Sequence, residues 1–116
     1  MNDDVPVINR VAAVVDPKEP YLAWARALDD DEPTIDSLSR EQLTSVYLIE
    51  ELDDDETGER ALRRHWPWIF EEKLMAWCRA SKDWPRKRTY KMFRQWLDVR
   101  LIDLLYDLSD DPLLRG

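Results

Sequence analysis

Glycine is the scarcest resource of this chain: 116 residues contain only Gly58 and Gly116. A phosphate-binding P-loop or a dinucleotide-binding turn needs several glycines at fixed spacing, so neither can be built. No glycine flanks Ser37, Ser39, Ser45, Ser81 or Ser109, which removes the serine nucleophile elbow as well. Cys78 is the single cysteine, so no internal disulfide forms, as in a reducing compartment. His65 is the single histidine, and a structural zinc site needs about four such ligands. The two lie 13 residues apart, roughly 20 Å along one helix, and meet only if that helix breaks between them. We expect a buried or half-buried thiol and a surface imidazole. No stretch approaches the ~18 apolar residues of a membrane span. The opening MNDDVPVINR is acidic and has no apolar secretion core, so the expectation is a cytoplasmic protein.

What remains is bulk and charge. Hydrophobic residues make up 44% of the chain, with six Trp, four Tyr and two Phe to fill one modest core. The formal charge is −8, which disfavours non-specific binding of nucleic acid by the whole molecule. That charge is unevenly spread. Residues 1–58 carry 4 basic and 16 acidic side chains, net −12, whereas residues 59–116 carry 13 and 9, net +4.

The stretch Glu59 to Cys78, ERALRRHWPWIFEEKLMAWC, organises the fold. At helical spacing Leu62, Trp66, Ile69, Phe70, Leu74 and Trp77 form one core-facing stripe, which predicts Trp77 fully buried. Pro67 interrupts it, and predicts a kink or a break there, or a helix that begins only at Trp66. Before it, Val5 to Val15 reads as a strand apolar on both faces. Asp16-Pro17 is expected to end that strand and start a helix, whose Tyr21, Trp24 and Leu28 face inward. Ser39 and Gln42 stand in capping-box positions of a short helical turn over Ser37 to Leu43. Ser45 to Ile49 reads as a buried strand, and Thr57 as the cap of the central helix. Lys87 to Leu97 is a second amphipathic helix, with Tyr90, Phe93 and Leu97 on one side and Arg88, Lys91 and Arg94 on another. In the run from Val99 to Leu108, Ile102, Leu104, Tyr106 and Leu108 alternate with Asp103 and Asp107, which predicts a last strand.

The order β-α-β-α-α-β predicts an α+β or small α/β domain: a three-stranded sheet packed against amphipathic helices, opening with a right-handed parallel crossover. Residues 5–108 form this single domain, with 1–4 and 109–116 as frayed ends. The run of PKEPYLAW at 17–24, VYLI at 46–49, IFEE at 69–72, Trp77, Trp84-Pro85 and MFRQWLD at 92–98 resembles a family of short uncharacterised bacterial proteins. The likeness covers roughly Ile8 to Leu108. It implies a bacterial cytoplasmic protein and brings no activity, cofactor or site.

Chemistry-bearing patterns are few. Asp53, Asp55, Thr57 and Gly58 match positions 1, 3, 5 and 6 of a calcium-binding EF-hand loop, but position 12, which must be glutamate, is Arg64. Glu71 and Glu72 are adjacent and diverge on a helix. Asp103 and Asp107 could share a strand face, with no cleft evident for acid–base work. We therefore expect no metal, no cofactor and no catalytic residues. Trp68 and Met75 fall away from the core stripe. They are either covered by a second element or form a patch for a protein partner or a second copy. Seven basic residues, Arg79, Lys82, Arg86, Lys87, Arg88, Lys91 and Arg94, lie close to Trp84 and Tyr90 and could grip a polyanion. The leading expectation is a non-enzymatic interaction or regulatory module. Polyanion binding through 79–94 comes second, and an enzyme with dispersed carboxylates and arginines third.

Overall fold

Strand β1 (Arg10–Pro17) is the middle of the sheet, and every residue from Val11 to Asp16 is buried. Its apolar run suits that place, because a central strand has no free edge and little exposed face. β1 pairs antiparallel with β2 (Ser45–Glu50) on one side and β3 (Leu97–Ile102) on the other. The computed structural model describes residues 6–28, 34–53 and 56–115. In it the chain is an α+β sandwich with helices on one face of the sheet.

The expected parallel crossover is absent. Two α-helices, α1 (Glu19–Leu28) and α2 (Arg40–Leu43), and a short 3-10 helix at Ile35–Ser37 separate β1 from β2, and the chain returns in the opposite direction. β1 also runs on through Pro17, where the sequence predicts a helix start. Asp16 does not cap α1. Its carboxylate takes a hydrogen bond from the Thr44 hydroxyl instead. α1 begins at Glu19 and buries Tyr21 and Ala25, while Trp24 and Leu28 are half-buried. The predicted capping box forms: the Gln42 N–H donates to Ser39 Oγ at 3.2 Å, and the Ser39 N–H donates to Gln42 Oε1 at 2.7 Å.

α3 (Gly58–Trp77) is one uninterrupted helix through Pro67, contrary to the expected break or late start. Pro67 and Arg63 are both exposed, so the carbonyl that Pro67 leaves without an N–H faces water, which can serve it. Thr57 caps the helix as expected, accepting the Arg60 N–H at 3.2 Å. The stripe is sound at Leu62, Ile69, Phe70 and Leu74, all buried. Trp66 and Trp77 at its margins are only half-buried, which corrects the prediction for Trp77. α4 (Tyr90–Trp96) is shorter than predicted, because Leu97 already belongs to β3. Phe70, Phe93 and Trp96 lock the two helices, with ring centroids 5.8–5.9 Å apart.

The core takes only alternate strand residues: Val11, Ala13 and Val15 from β1, Tyr47 and Ile49 from β2, and Leu97, Val99 and Leu101 from β3. The opposite sheet face carries Ala12, Val14, Val46, Leu48 and Ile102, and none of these belongs to a core cluster. β2 is therefore an edge strand, not the buried strand predicted from SVYLI. The last strand is also shorter than the predicted Val99 to Leu108. It ends at Ile102, and beyond it a single bridge joins Tyr106 to Val7. The β1–β3 register would place Val7 opposite Asp107, so the ladder slips by one residue before that bridge. Among the described residues no helix is long and apolar enough to cross a membrane.

Candidate interaction groove

A groove of about 720 Å³ runs between the free edge of β2 and the outer side of α3. Among the described residues β2 pairs only with β1, so one row of its backbone groups has no neighbouring strand there. Val46 and Leu48 are 58% and 48% exposed on the face without helices. Tyr47 and Ile49 point the other way and reach α3 through the core. Trp68 stands on the outer side of α3, 64% exposed, with its ring edge-to-face against Tyr47 at 6.0 Å. One turn earlier, His65 Nε2 lies 2.8 Å from Glu50 Oε1 at the end of β2. Arg64 bridges Glu50 and Glu56, fastening the helix to the strand at this end. The Glu50 carboxyl is held down to about 2 by its own backbone N–H, against a smaller opposing effect of burial, and by Arg64 and His65. The C-terminal residues Leu113, Leu114 and Arg115 lie along the same groove.

Of the two patch residues read from the sequence, Trp68 lines this groove and Met75 does not. Met75 is 52% exposed two turns further along the same stripe of α3. Neither side chain is enclosed, so the sequence alternative of a second covering element is not what the fold provides.

Two polar clusters support the sheet. Burial alone would raise the Asp16 pKa. Hydrogen bonds from Thr44 and Arg40, with the charges of Arg40 and Arg100, outweigh it and hold the carboxyl below its usual range. Arg40 Nη2 approaches to 3.3 Å and Arg100 Nη2 to 3.8 Å. On the helix side Lys73 is 4% exposed, and its ammonium donates to the Leu43 carbonyl at 2.7 Å and to Ser45 Oγ at 3.0 Å. Burial pushes its pKa down, opposed by the charges of Glu72 and Asp16. The Tyr21 hydroxyl donates to the Lys73 carbonyl at 2.6 Å, and the Tyr47 hydroxyl donates to Glu72 at 2.7 Å. Burial raises the pKa of both phenols. Lys73 does not line the groove, and its amine clamps α2 and β2 onto α3.

The basic segment is split by the fold. Arg79, Lys82, Arg86, Lys87 and Lys91 are exposed and make no ion pair among the described residues. Arg88 is bound inward, to Glu71 at 3.0 Å and the Pro85 carbonyl at 2.8 Å, and lies over the Trp84 ring. Arg94 reaches Glu59 at 4.0 Å. The two nearby aromatics are also engaged. Trp84 Nε1 donates to the Cys78 carbonyl at 2.7 Å, and Tyr90 packs on Trp66 and Phe93 beneath Arg63. Because α3 does not break, His65 and Cys78 stay at separate places along it. Cys78 is half-buried at its end. Glu71 and Glu72 diverge, one to Arg88 and one to Tyr47. Among the described residues no three His, Cys, Asp or Glu side chains are grouped to hold a metal ion. Asp54 and Asp55 of the acidic loop, and the charged connection 29–33, lie outside the described residues.

Sequence reasoning missed the free edge of β2, the Lys73 clamp and the Asp16 cluster. The signal for the first was present: Val46 and Leu48 alternate with Tyr47 and Ile49, but all four are apolar, and apolarity on both faces reads as burial. No family model, curated protein or solved structure matches the chain.

Proposed function

We propose that this chain is a non-enzymatic protein–protein interaction module of the bacterial cytoplasm, working through the groove between β2 and α3. The observation that carries the reading is the free β2 edge flanked by exposed Val46, Leu48 and Trp68. An extended partner segment can add to such an edge as a fourth strand, with main-chain bonds supplying affinity and the apolar side chains selecting the sequence. Trp68 is the natural anchor, because exposed tryptophans at the centre of a contact carry a large share of binding energy.

The test is affinity capture from the native cell with the wild type and with a Leu48→Glu/Trp68→Glu variant. Both changes are at exposed positions, and circular dichroism checks that the variant keeps its fold. A protein, including the chain itself, should be recovered by the wild type and lost by the variant. Recovery of the same proteins by both would remove the groove from consideration.

A second reading has its own observation: five exposed cations between Arg79 and Lys91 without ion pairs among the described residues. Polyanion binding there is weakened by the engagement of Arg88, Trp84 and Tyr90 within the fold. An enzymatic reading has less to stand on, since its best carboxylate, Asp16, is saturated by Thr44, Arg40 and Arg100.

A further inference from the structure

The residues beyond β3 form an arm. Ile8 donates its N–H to the Leu105 carbonyl at 2.9 Å, and Asp107 donates to the Pro6 carbonyl at 2.7 Å, so residues 6–8 and 105–107 run as a two-stranded ribbon past the sheet. The arm leaves large apolar side chains in water: Leu104 is 63% exposed, Tyr106 51%, Leu108 86%, Leu113 70% and Leu114 88%. Monomeric surfaces scatter such residues singly, and a run of them marks a surface meant to be covered. Leu113 and Leu114 reach the groove beside β2, yet this seat does not bury them. Among the described residues no backbone hydrogen bond joins 112–115 to the β2 edge. Within one molecule, groove and tail meet without satisfying each other.

We infer that the groove's occupant is the C-terminal arm of a second copy, exchanged reciprocally, so that Leu113 and Leu114 of each chain dock against Val46, Leu48 and Trp68 of the other. This rests on the interaction reading above and names its partner. A second copy is favoured because it carries both halves at once, an apolar arm needing cover and an apolar edge offering it, as a two-fold interface requires. The area suffices. At roughly 100 Å² for each partly exposed large side chain, these five docking residues together with the exposed Leu104, Tyr106 and Leu108 of the arm offer on the order of 800 Å² per copy, the share each partner gives a standard interface. Two copies each of charge −8 repel one another, so this contact should tighten as salt rises, whereas a contact built on ion pairs would loosen.

The experiment is sedimentation velocity on the full chain and two full-length variants, Leu113→Asp/Leu114→Asp in the arm and Leu48→Glu/Trp68→Glu in the groove. Circular dichroism checks folding, and Leu114→Ser and Trp68→Ser replace any variant that melts. The wild type should sediment as a dimer, more completely at higher salt. Each variant alone should be at least ~10-fold weaker in self-association. An equimolar mixture should regain dimers, because the intact arm of one variant meets the intact groove of the other. A mixture that stays monomeric, or a dimer indifferent to both variants, would overturn the exchange. If the wild type is a monomer up to ~100 μM, a labelled peptide of residues 103–115 added to the arm variant separates the remaining cases. Peptide binding in the groove overturns the exchange and leaves the interaction reading standing. No binding takes away this support for the groove along with the exchange, and the capture experiment above then decides the interaction reading.

Discussion

Lys73 is a buried amine whose surroundings lower its proton affinity. Its folded pKa lies below the ordinary 10.5. Between the two values the unfolded chain holds a proton that the folded chain has given up, so stability rises with pH across that window. Tyr21 and Tyr47 act in the opposite sense, because raised phenol pKa values make stability fall once pH passes about 10, the ordinary tyrosine value. Urea midpoints should therefore climb as pH approaches about 10 from below and then turn down. Lys73→Met should flatten the climb and keep the downturn. Parallel profiles for wild type and variant would mean that the ammonium is solvated, not clamped to Leu43 and Ser45.

At the scale of elements, Pro67 is the informative irregularity. It sits exposed inside a continuous twenty-residue helix, where proline costs about 3 kcal/mol relative to alanine in a helix interior. Pro67→Ala should stabilise the domain by ~1–3 kcal/mol in denaturant unfolding, with the lower figure if neighbouring packing already absorbs part of the cost. A loss of stability would show that contacts of the Pro67 ring outweigh its cost to the helix. The same helix shows how far sequence reaches. Its stripe and its Thr57 cap were legible because they are local, set by spacing and one side chain. Its continuity was not, because that depends on which side of the helix faces water. The strand order was hidden for a similar reason. β1 reads as buried on both faces, but the direction of its neighbours follows from how α1 and α2 return the chain. In the candidate site Trp68 could be singled out from the stripe it misses. The partner edge of β2 could not, since Val46 and Leu48 look like core until the sheet order is known.

For the whole molecule, charge decides between the competing readings. The acidic first half, net −12, opposes approach of a polyanion to the basic second half, net +4. Five exposed cations give a footprint of at most about five phosphates, and binding through such contacts falls steeply with salt. Fluorescence anisotropy with single- and double-stranded DNA and RNA should therefore show no binding tighter than ~100 μM at ~150 mM salt. Micromolar binding under those conditions, abolished by reversing Arg86 and Lys87, would promote the polyanion reading over the groove.

The place of β1 in the middle of the sheet also governs how the chain can assemble. Its partner on one side is a strand about thirty residues away, as in Val15 with Ser45, while on the other side Asp16 meets Asp98, 82 residues along. The β1–β2 ladder can close early, but β1 keeps a raw edge until nearly all of the chain is available. Loop closure over that distance is entropically slow relative to local helix formation. The half-sheet that waits, apolar on both faces of β1, is the species in which this protein is most exposed to mispairing. Dilution and an early supply of the 97–102 segment should raise the refolding yield more than any stabilisation of α3.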